Sequence, residues 1–202
     1  FGKDYASSSI KFFSRGREQT SKYEIFSNKN KKFFINDIEQ KKLKALFGIF
    51  STVIFSPEDL NLIKEGPEER RKFLNTDISQ LRPDYFNCLK DYNKVIYMKN
   101  TLLKTENPDV NMLDVYNEKI AQLGAKITVH RLMFIEKLSE LSSMALYYIS
   151  DKKEKIELKY VPGFESSYEV SVKSIREAIL NDLNKSKDEK KKKKVSIIGP
   201  HR

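Results

Sequence analysis

The chain contains very few of the residues that build disulfide frameworks and metal centres. Its 202 residues include one cysteine, Cys88, and two histidines, His130 and His201. A single thiol excludes an internal disulfide framework and a multi-cysteine metal site. Two histidines disfavour a histidine-based zinc or di-iron centre. We therefore interpret Cys88 as a packed thiol and His130 as a helix-packing side chain.

Glycine and proline are also scarce, at 7 and 6 residues, which excludes a collagen-like or Gly/Pro-rich disordered chain. Aromatic residues make up 11% of the chain, too many for a disordered tail. No apolar run approaches the length of a membrane span, and residues 1–4 show neither an initiator Met nor a signal-peptide pattern. We expect an internal piece of a longer cytoplasmic protein, without a membrane partner.

Positive charge is abundant, with a formal net charge of +10 and a sequence pI of about 9.4. Half of that excess lies in the lysine-rich segment 185–194, where seven lysines face two acids. Lys190, Lys191, Lys192, Lys193 and Lys194 are candidate DNA-binding residues, because lysines that neutralise phosphates release counterions. The alternative is a solvated loop, since the tract has no aromatic residue to stack on bases.

The first part of the chain has the pattern of β-strands. Short aromatic and β-branched runs predict strands, and Arg15-Gly16 and Asn28-Lys29-Asn30 predict turns between them. The predicted strands are Ser9–Phe13, Tyr23–Phe26, Lys32–Asn36 and Ser51–Phe55. The last is the most apolar, and we expect it to be the most buried.

The pattern then changes to helix. Ser56-Pro57-Glu58-Asp59 combines an N-cap residue, proline and acids, which is typical of a helix start. Gly66-Pro67 and Asn107-Pro108-Asp109 repeat the proline-then-acid arrangement.

Two long helices follow, and their apolar residues recur at steps of three, four or seven. The first stripe contains Tyr85, Leu89, Tyr92, Ile96 and Leu103, with Lys99 in the same stripe. The second contains Ile120, Leu123, Ile127, Phe134, Leu138, Leu141, Ala145 and Tyr148. A loop near Asn107 joins the two helices, so we expect an antiparallel helical hairpin that forms an arm.

The chain then returns to short elements, with strands predicted at Lys155–Tyr160 and Val195–Ile198 and a helix at Val172–Leu183. The fold class is therefore predicted as α+β, with a helical insertion between β elements. We expect a β-rich part at 1–55, the helical arm at 56–150 and a returning β/α segment at 151–202.

Several motifs in the expected order resemble the bacterial RecF family, most sharply between Phe55 and Leu74. The first motif contains Pro57, Gly66, Pro67, Arg70, Arg71 and Phe73. The second is Gly199, Pro200, His201 and Arg202. Between them, Asn100–Lys104 and Leu123–Ile127 are similar to the helical arm of that family.

This resemblance implies an ATPase head of the SMC/Rad50-like ATP-binding-cassette class, with an antiparallel β lobe and a helical arm. The implied function is ATP-dependent binding at single-strand/duplex DNA junctions in replication and repair, with RecR, to help load RecA. ATP and magnesium are the implied cofactors of the intact protein, and an ATP-dependent homodimer is its implied assembly.

The chain departs from the family pattern at several points. It has no Gly-x-x-x-x-Gly-Lys-Ser/Thr sequence, whose backbone amides and lysine hold nucleotide phosphates. We expect the Walker A motif before Phe1 and the signature and Walker B motifs after Arg202, and we predict that this chain alone does not hydrolyse ATP. Asn75 stands where the family usually has Asp, and Ser196 where it usually has Thr.

Three residues are candidate cofactor contacts. Glu58 or Asp59 is expected to order a magnesium-bound water, or else only to cap the start of a helix. Arg71 heads an apolar stripe, whereas Arg70 falls off it, so Arg71 needs a fixed acceptor. That acceptor is either a group of the β lobe, a nucleotide phosphate or the second head of a dimer.

Two other classes of function remain open from the sequence alone. Heptad spacing equally favours a non-enzymatic helical interaction module, and the net charge allows a stand-alone basic DNA-binding domain.

Overall fold

A computed structural model describes residues 3–186, 195, 196 and 198–201 of the chain. Four strands come first: β1 (Tyr5–Ser14), β2 (Arg17–Phe26), β3 (Lys29–Ile35) and β4 (Ile38–Glu39). Two 3₁₀ turns, Leu43–Leu46 and Pro57–Leu60, precede the helices. The helices are α1 (Asn61–Lys64), α2 (Pro67–Leu81), α3 (Pro83–Leu103), α4 (Val110–Ile149) and α5 (Val172–Lys185). The chain divides into two compact units, Phe1–Leu60 with Ser79–Pro83, and Asn61–Ile78 with Asp84–Arg202.

The first unit is built on an antiparallel sheet in which β1, β2, β3 and β4 are neighbours in sequence order. The β1–β2 turn places Arg15 and Gly16 at φ 54° and 74°, and the β3–β4 turn places Asn36 and Asp37 at 50° and 64°. Positive φ at both central residues is what a tight hairpin turn of the right twist requires. Phe33 is buried in this sheet at 5% exposure.

Three of the predicted strands are confirmed: Ser9–Phe13 lies within β1, Tyr23–Phe26 within β2, and Lys32–Asn36 within β3 apart from Asn36, which is in the following turn. The turn after β2 falls at Ser27 and Asn28, one residue earlier than predicted, and the short β4 was not predicted. The strand prediction at Ser51–Phe55 is wrong. Val53 and Phe55 are 99% and 85% exposed, and the backbone amide of Thr52 bonds to the Gln80 side chain instead of to a neighbouring strand.

The helical unit begins where the proline and acid signals predicted helix starts. Pro67 is the first residue of α2, and its missing N–H has no partner within a helix anyway. The Asp109 carboxylate accepts hydrogen bonds from the amides of Asn111 and Met112 and so caps α4. Pro57 opens only a 3₁₀ turn, which ends at Leu60.

The α3 and α4 helices pair in antiparallel fashion, as predicted: residues later in α3 contact residues earlier in α4. These contacts join Tyr85 to Arg131, Cys88 to Leu123 and Lys99 to Asn117. The predicted stripes are buried or partly buried from Tyr85 to Leu103 on α3 and from Ile120 to Phe134 on α4.

The end of the second stripe is not buried, in contrast to the prediction. Leu141 is 49% and Tyr148 is 71% exposed, and Ala145 is exposed as well. The physical reason is length: the 40 residues of α4 span about 60 Å, whereas the 21 residues of α3 span about 31 Å. The last turns of α4 therefore extend beyond the partner that would cover them.

The segments after α4 carry less regular structure than predicted. Lys155–Tyr160 forms no strand, and the Leu158 amide donates to the Ser139 hydroxyl of α4 rather than to another strand. Residues 195, 196 and 198 are also not in a strand, and Ile197 lies outside the described residues. The α5 helix is confirmed, and its apolar face is buried. No helix in the described ranges is long and apolar enough to cross a bilayer.

Candidate functional site

A buried arginine on α4 joins four different parts of the helical unit. Arg131 is 2% exposed, and its guanidinium uses all three nitrogens as donors. It donates to the hydroxyls of Tyr85 at 3.1 Å and Tyr160 at 3.2 Å, to the Pro200 carbonyl at 2.7 Å and to Asn75 Oδ1 at 2.9 Å. These five residues are called the anchor cluster below.

All four acceptors of the Arg131 guanidinium in the anchor cluster are neutral, and none of them is a carboxylate. Asn75 Oδ1 also accepts a hydrogen bond of 2.7 Å from the Tyr85 hydroxyl. Burial raises the pKa of Tyr85 against the opposing effect of the Arg131 charge, so the hydroxyl keeps the proton that it donates. Arginine stays protonated in proteins, so among the described residues its hydrogen-bond partners meet this charge with dipoles.

Gly199, the first residue of the second family motif, is held by contacts next to the anchor cluster. Gly199 donates its amide to the Gly163 carbonyl at 2.8 Å and has a φ of 126°. A Cβ at Gly199 would lie far inside contact distance of Tyr92 Oη. Glycine is therefore required here for two reasons, the positive φ and the close approach of a tyrosine from α3.

His201 is held by two further hydrogen bonds. Its Nε2 lies 3.2 Å from the Ser196 carbonyl oxygen, and its Nδ1 lies 2.7 Å from Tyr92 Oη. A carbonyl can only accept, so in the neutral ring Nε2 carries the proton and Nδ1 accepts from the tyrosine hydroxyl. The α4 helix thus holds the backbone of Pro200 through Arg131, and α3 holds the ring of His201 through Tyr92.

Gly124 allows this close packing. A Cβ at this position on α4 would lie 3.2 Å from Ile179 Cδ1, 3.3 Å from Pro200 Cδ and 3.4 Å from Tyr92 Cε2. Three elements, α3, α5 and the segment that carries Pro200, therefore meet the bare backbone of α4 at one point.

A second buried cation lies further along the α3–α4 interface. Lys99 is 1% exposed and donates a 2.6 Å hydrogen bond to Asn117 Oδ1. Burial lowers the pKa of Lys99 to about 8, although the charge of Asp114 acts in the opposite direction. The adjacent Asn100 accepts from the Ser196 amide at 2.7 Å, which holds the approach to the second motif.

The arrangement is suited to holding a segment in place rather than to covalent chemistry. Among the described residues, no three His, Cys, Asp or Glu side chains lie together in a way that could hold a metal ion. Cys88 is half-buried and lies 3.5 Å from the Leu123 carbonyl, and burial raises its pKa, which confirms the packed thiol. His130 contacts Asp84 at 3.4 Å and the edge of Tyr85, as a packing residue does.

The first family motif is placed mainly by local contacts. Asp59 Oδ2 accepts a 2.6 Å hydrogen bond from the Ser56 amide, which is the contact of a capped turn, and Glu58 is exposed. The geometry therefore fits capping. The role of both carboxylates toward a magnesium-bound water stays a prediction.

The two arginines of α2 lie in different environments, as predicted. Arg70 is exposed and donates to the carbonyls of Leu62 and Glu65, so it fastens the preceding turn. Arg71 is half-buried, in register with the buried Leu74 and Ile78. Leu81, the fourth member of that stripe, is 56% exposed, so the stripe ends earlier than predicted.

The remaining motif residues differ in how far they are buried. Phe73 is partly buried against the core, whereas Gly66 and Pro67 are exposed. Pro200 is fully buried. Arg202 and the candidate DNA-binding residues Lys190–Lys194 lie outside the described residues.

Arg131, the centre of the site, was not predicted from the sequence. A signal was available, because the stripe of α4 steps by seven residues from Ile127 to Phe134. Arg131 occupies the skipped stripe position between them. A cation at a stripe position predicts a buried charge that needs fixed acceptors.

The chain is similar to curated proteins along most of its length. It is 40% identical over 177 residues to "DNA replication and repair protein RecF" of Acetivibrio thermocellus, a match that covers 86% of this chain and 48% of that protein. It is 41% identical over 170 residues to the protein of the same name from Streptococcus agalactiae, covering 83% of this chain and 45% of the relative. No family model matches the chain.

Solved structures agree with the sequence comparisons. The structure of the recombination mediator protein RecF-ATPrS in the RecFOR pathway superposes with a TM-score of 0.88 at 36% identity, covering 100% of this chain and 55% of that one. The corresponding RecF-ATP structure gives 0.86 at 35% identity over the same shares of the two chains.

The α+β fold and these similarities define a class: the chain is homologous to bacterial DNA replication and repair proteins. Within that class, the chain belongs to the RecF family. It spans about half the length of the curated relatives that it matches.

Proposed function

We propose that this chain is the β-sheet and arm portion of a RecF-type recombination mediator. The complete gene product would bind DNA at single-strand/duplex junctions in an ATP-dependent manner and act with RecR to help load RecA. The observation that supports this most is the superposition on a RecF structure at a TM-score of 0.88 with 36% identity. At that identity, the likeness extends beyond a shared fold.

Within that protein, we assign a division of labour. Residues 1–55 supply β structure of the head, 56–150 the arm and 151–202 the return to the head, in the bacterial cytoplasm. The anchor cluster fastens the return segment to the arm. The proposed ATP and magnesium are held by other parts of the complete gene product, since this sequence has no phosphate-binding loop. Glu58, Asp59 and Arg71 are proposed as contacts from this half.

The test uses the complete gene product with gapped duplex DNA. We expect ATP to slow dissociation from the gapped DNA more than from blunt duplex, because the proposed dimer closes only with nucleotide bound. The 202-residue chain serves as the matched control and is expected to show no ATP turnover. ATP-independent binding with equal affinity for both DNAs would contradict the proposal, as would steady turnover by the 202-residue chain alone.

Arg71 and Arg70 provide a second, residue-level test. Arg71→Lys in the complete gene product is expected to leave the apo melting temperature unchanged and to reduce ATP-dependent dimerisation and DNA retention, since lysine lacks the planar fork of arginine. Arg70→Lys is the control, because Arg70 is exposed and bonds only to nearby carbonyls. A loss of apo stability in Arg71→Lys would assign Arg71 to packing instead.

A further inference from the structure

The face of α3 opposite its buried stripe carries three lysines and a tyrosine. Lys90, Lys94 and Tyr97 lie on the helix, and Lys104 follows its last residue. Their spacing of four, three and seven residues places them on one side of a helix with 3.6 residues per turn. These four residues are called the α3 basic stripe.

All four side chains of the α3 basic stripe are exposed, and Tyr97 is 73% exposed. The three lysines form no ion pair within the described part of the chain, in contrast to Lys72 and Lys137, which pair with glutamates three residues away. The intervening position on the same face is Thr101, so no acid interrupts the stripe. The charges of the stripe are therefore available to an external anion.

The length of the stripe matches a run of nucleic-acid phosphates. Lys104 lies fourteen positions after Lys90, which corresponds to about 21 Å along a helix axis. Lysines four residues apart are neighbours on the helix surface, at about 6 Å between Cβ atoms. This spacing allows Lys90 and Lys94 to contact neighbouring phosphates of one strand. Lys104, ten positions further on, would contact a phosphate about 15 Å away.

Tyr97 is the observation that selects among the possible anions. An aromatic ring that is three-quarters exposed between lysines gains nothing from folding, but it offers a flat surface on which an unpaired base can stack. Bases in a duplex are already stacked, so the ring together with the lysines favours an unpaired strand.

We propose that the α3 basic stripe binds single-stranded nucleic acid, with Lys90, Lys94 and Lys104 on phosphates and Tyr97 stacked on a base. This site rests on the proposed function and specifies where the arm contacts the single-stranded side of a junction. It differs from the lysine tract 190–194, which contains no aromatic residue.

The experiment measures binding of the complete gene product to fluorescent oligo-dT of about 30 nucleotides and to a duplex of equal length, between about 50 and 200 mM salt. One variant combines Lys90→Gln, Lys94→Gln and Lys104→Gln. The matched control combines Lys152→Gln, Lys153→Gln and Lys155→Gln, which removes the same charge from exposed lysines outside the stripe. Melting midpoints are compared first and are expected to agree, since all six lysines are exposed.

The stripe variant is expected to lower the salt slope for oligo-dT by about 2, close to 0.7 for each of three lost phosphate contacts. The control should change that slope by much less. An unchanged slope in the stripe variant, or an equal change in both, would overturn the site, because net charge rather than position would then decide binding.

Tyr97 tests the stacking part independently. Tyr97→Ala is expected to weaken oligo-dT binding about fivefold or more and to leave duplex binding unchanged, whereas Tyr97→Phe keeps the ring and should bind normally. Tyr148→Ala, on the equally exposed Tyr148 of α4, is the control. An equal loss on duplex DNA, or none on oligo-dT, would overturn the stacking role.

The two proposals fail differently. If the wild-type protein binds neither DNA, the proposed function fails. If it binds gapped DNA with ATP dependence and the stripe variant does the same with the same slope, only the site on α3 fails.

Discussion

The two buried cations of the α3–α4 interface differ in how their charge is accommodated. Arg131 distributes its charge over four hydrogen bonds from three nitrogens, whereas Lys99 has a single described hydrogen bond, to Asn117. The two residues are almost equally buried, at 2% and 1% exposure. Burial lowers the pKa of Lys99 to about 8, while arginine remains charged.

Two properties of the guanidinium account for the difference: its high basicity keeps Arg131 charged when buried, and its planar fork lets that charge meet several neutral acceptors. Arg131 reaches Asn75, Tyr85, Tyr160 and Pro200 because its planar fork points in several directions at once. Lys99 presents a compact ammonium to one amide. The anchor therefore lies where Tyr160 and Pro200 meet α2, α3 and α4.

The largest expected effect comes from placing a lysine at the anchor. Arg131→Lys keeps a buried charge but loses most of its hydrogen bonds, and we expect it to destabilise the protein by about 3 kcal/mol or more at neutral pH. Arg131→Met should cost less, because it leaves unpaired acceptors but no charge. Denaturant unfolding measures the free energy of unfolding, and the dependence of that free energy on denaturant concentration should be the same in all three proteins. Equal stability of Arg131→Lys and wild type would show that the fork geometry is irrelevant.

Lys99 is expected to make stability depend on pH in the alkaline range. Between pH 8 and 10.5, the unfolded lysine is protonated while the folded one has lost its proton. The unfolded state then binds more protons, so stability rises with pH, by up to about 3 kcal/mol across this window.

Unfolding curves of wild type and Lys99→Met across that pH range test this expectation. The free energy of unfolding of the wild type, relative to that of Lys99→Met, should rise with pH and level off above 10.5. Arg131→Met is the control, since removal of Arg131 should not alter the slope attributed to Lys99. Parallel pH profiles for wild type and Lys99→Met would contradict the assigned pKa.

The smallest expected effect comes from replacing the amide partners by carboxylates. Asn75→Asp gives Arg131 a charged acceptor that keeps both hydrogen bonds of Asn75 Oδ1, and we expect a gain of about 1 kcal/mol at neutral pH. Asn117→Asp should move the titration of Lys99 to higher pH. It also puts a carboxylate where the Asn117 amide now donates to Asp114, so we expect no net gain in stability from it. Thermal melting and the pH profile are the measurements, and a loss of stability in Asn75→Asp would contradict the account of the anchor cluster.

The local parts of the fold could be predicted from sequence. The Arg15-Gly16 turn, the Pro67 helix start and the apolar stripe from Tyr85 to Leu103 depend on residues close together in the chain. The strand predictions at Ser51–Phe55 and Lys155–Tyr160 were wrong for the opposite reason. A strand needs a partner, and partners are supplied by distant chain segments that an apolar pattern does not specify.

The site shows the same division. Gly199, Pro200 and His201 were identified from motif similarity, but Pro200 and His201 contact positions 131 and 92. Arg131 in turn contacts positions 75, 85 and 160. No spacing rule links positions so far apart, and Arg131 was therefore missed although it interrupts an apolar stripe. Asn75 gives Arg131 a neutral acceptor at a position where the family usually has Asp. The sequence shows this only as a departure from the family pattern.

Amide hydrogen exchange at Gly199 tests most directly whether Arg131 ties α4 to the second motif. In wild type, the Gly199 amide is protected by its bond to the Gly163 carbonyl, next to the Pro200 carbonyl that Arg131 holds. Arg131→Met is expected to increase exchange at Gly199 markedly, while Lys99→Met leaves it near the wild-type rate. Unchanged exchange in Arg131→Met, or an equal increase in both variants, would contradict the distinction between the two buried cations.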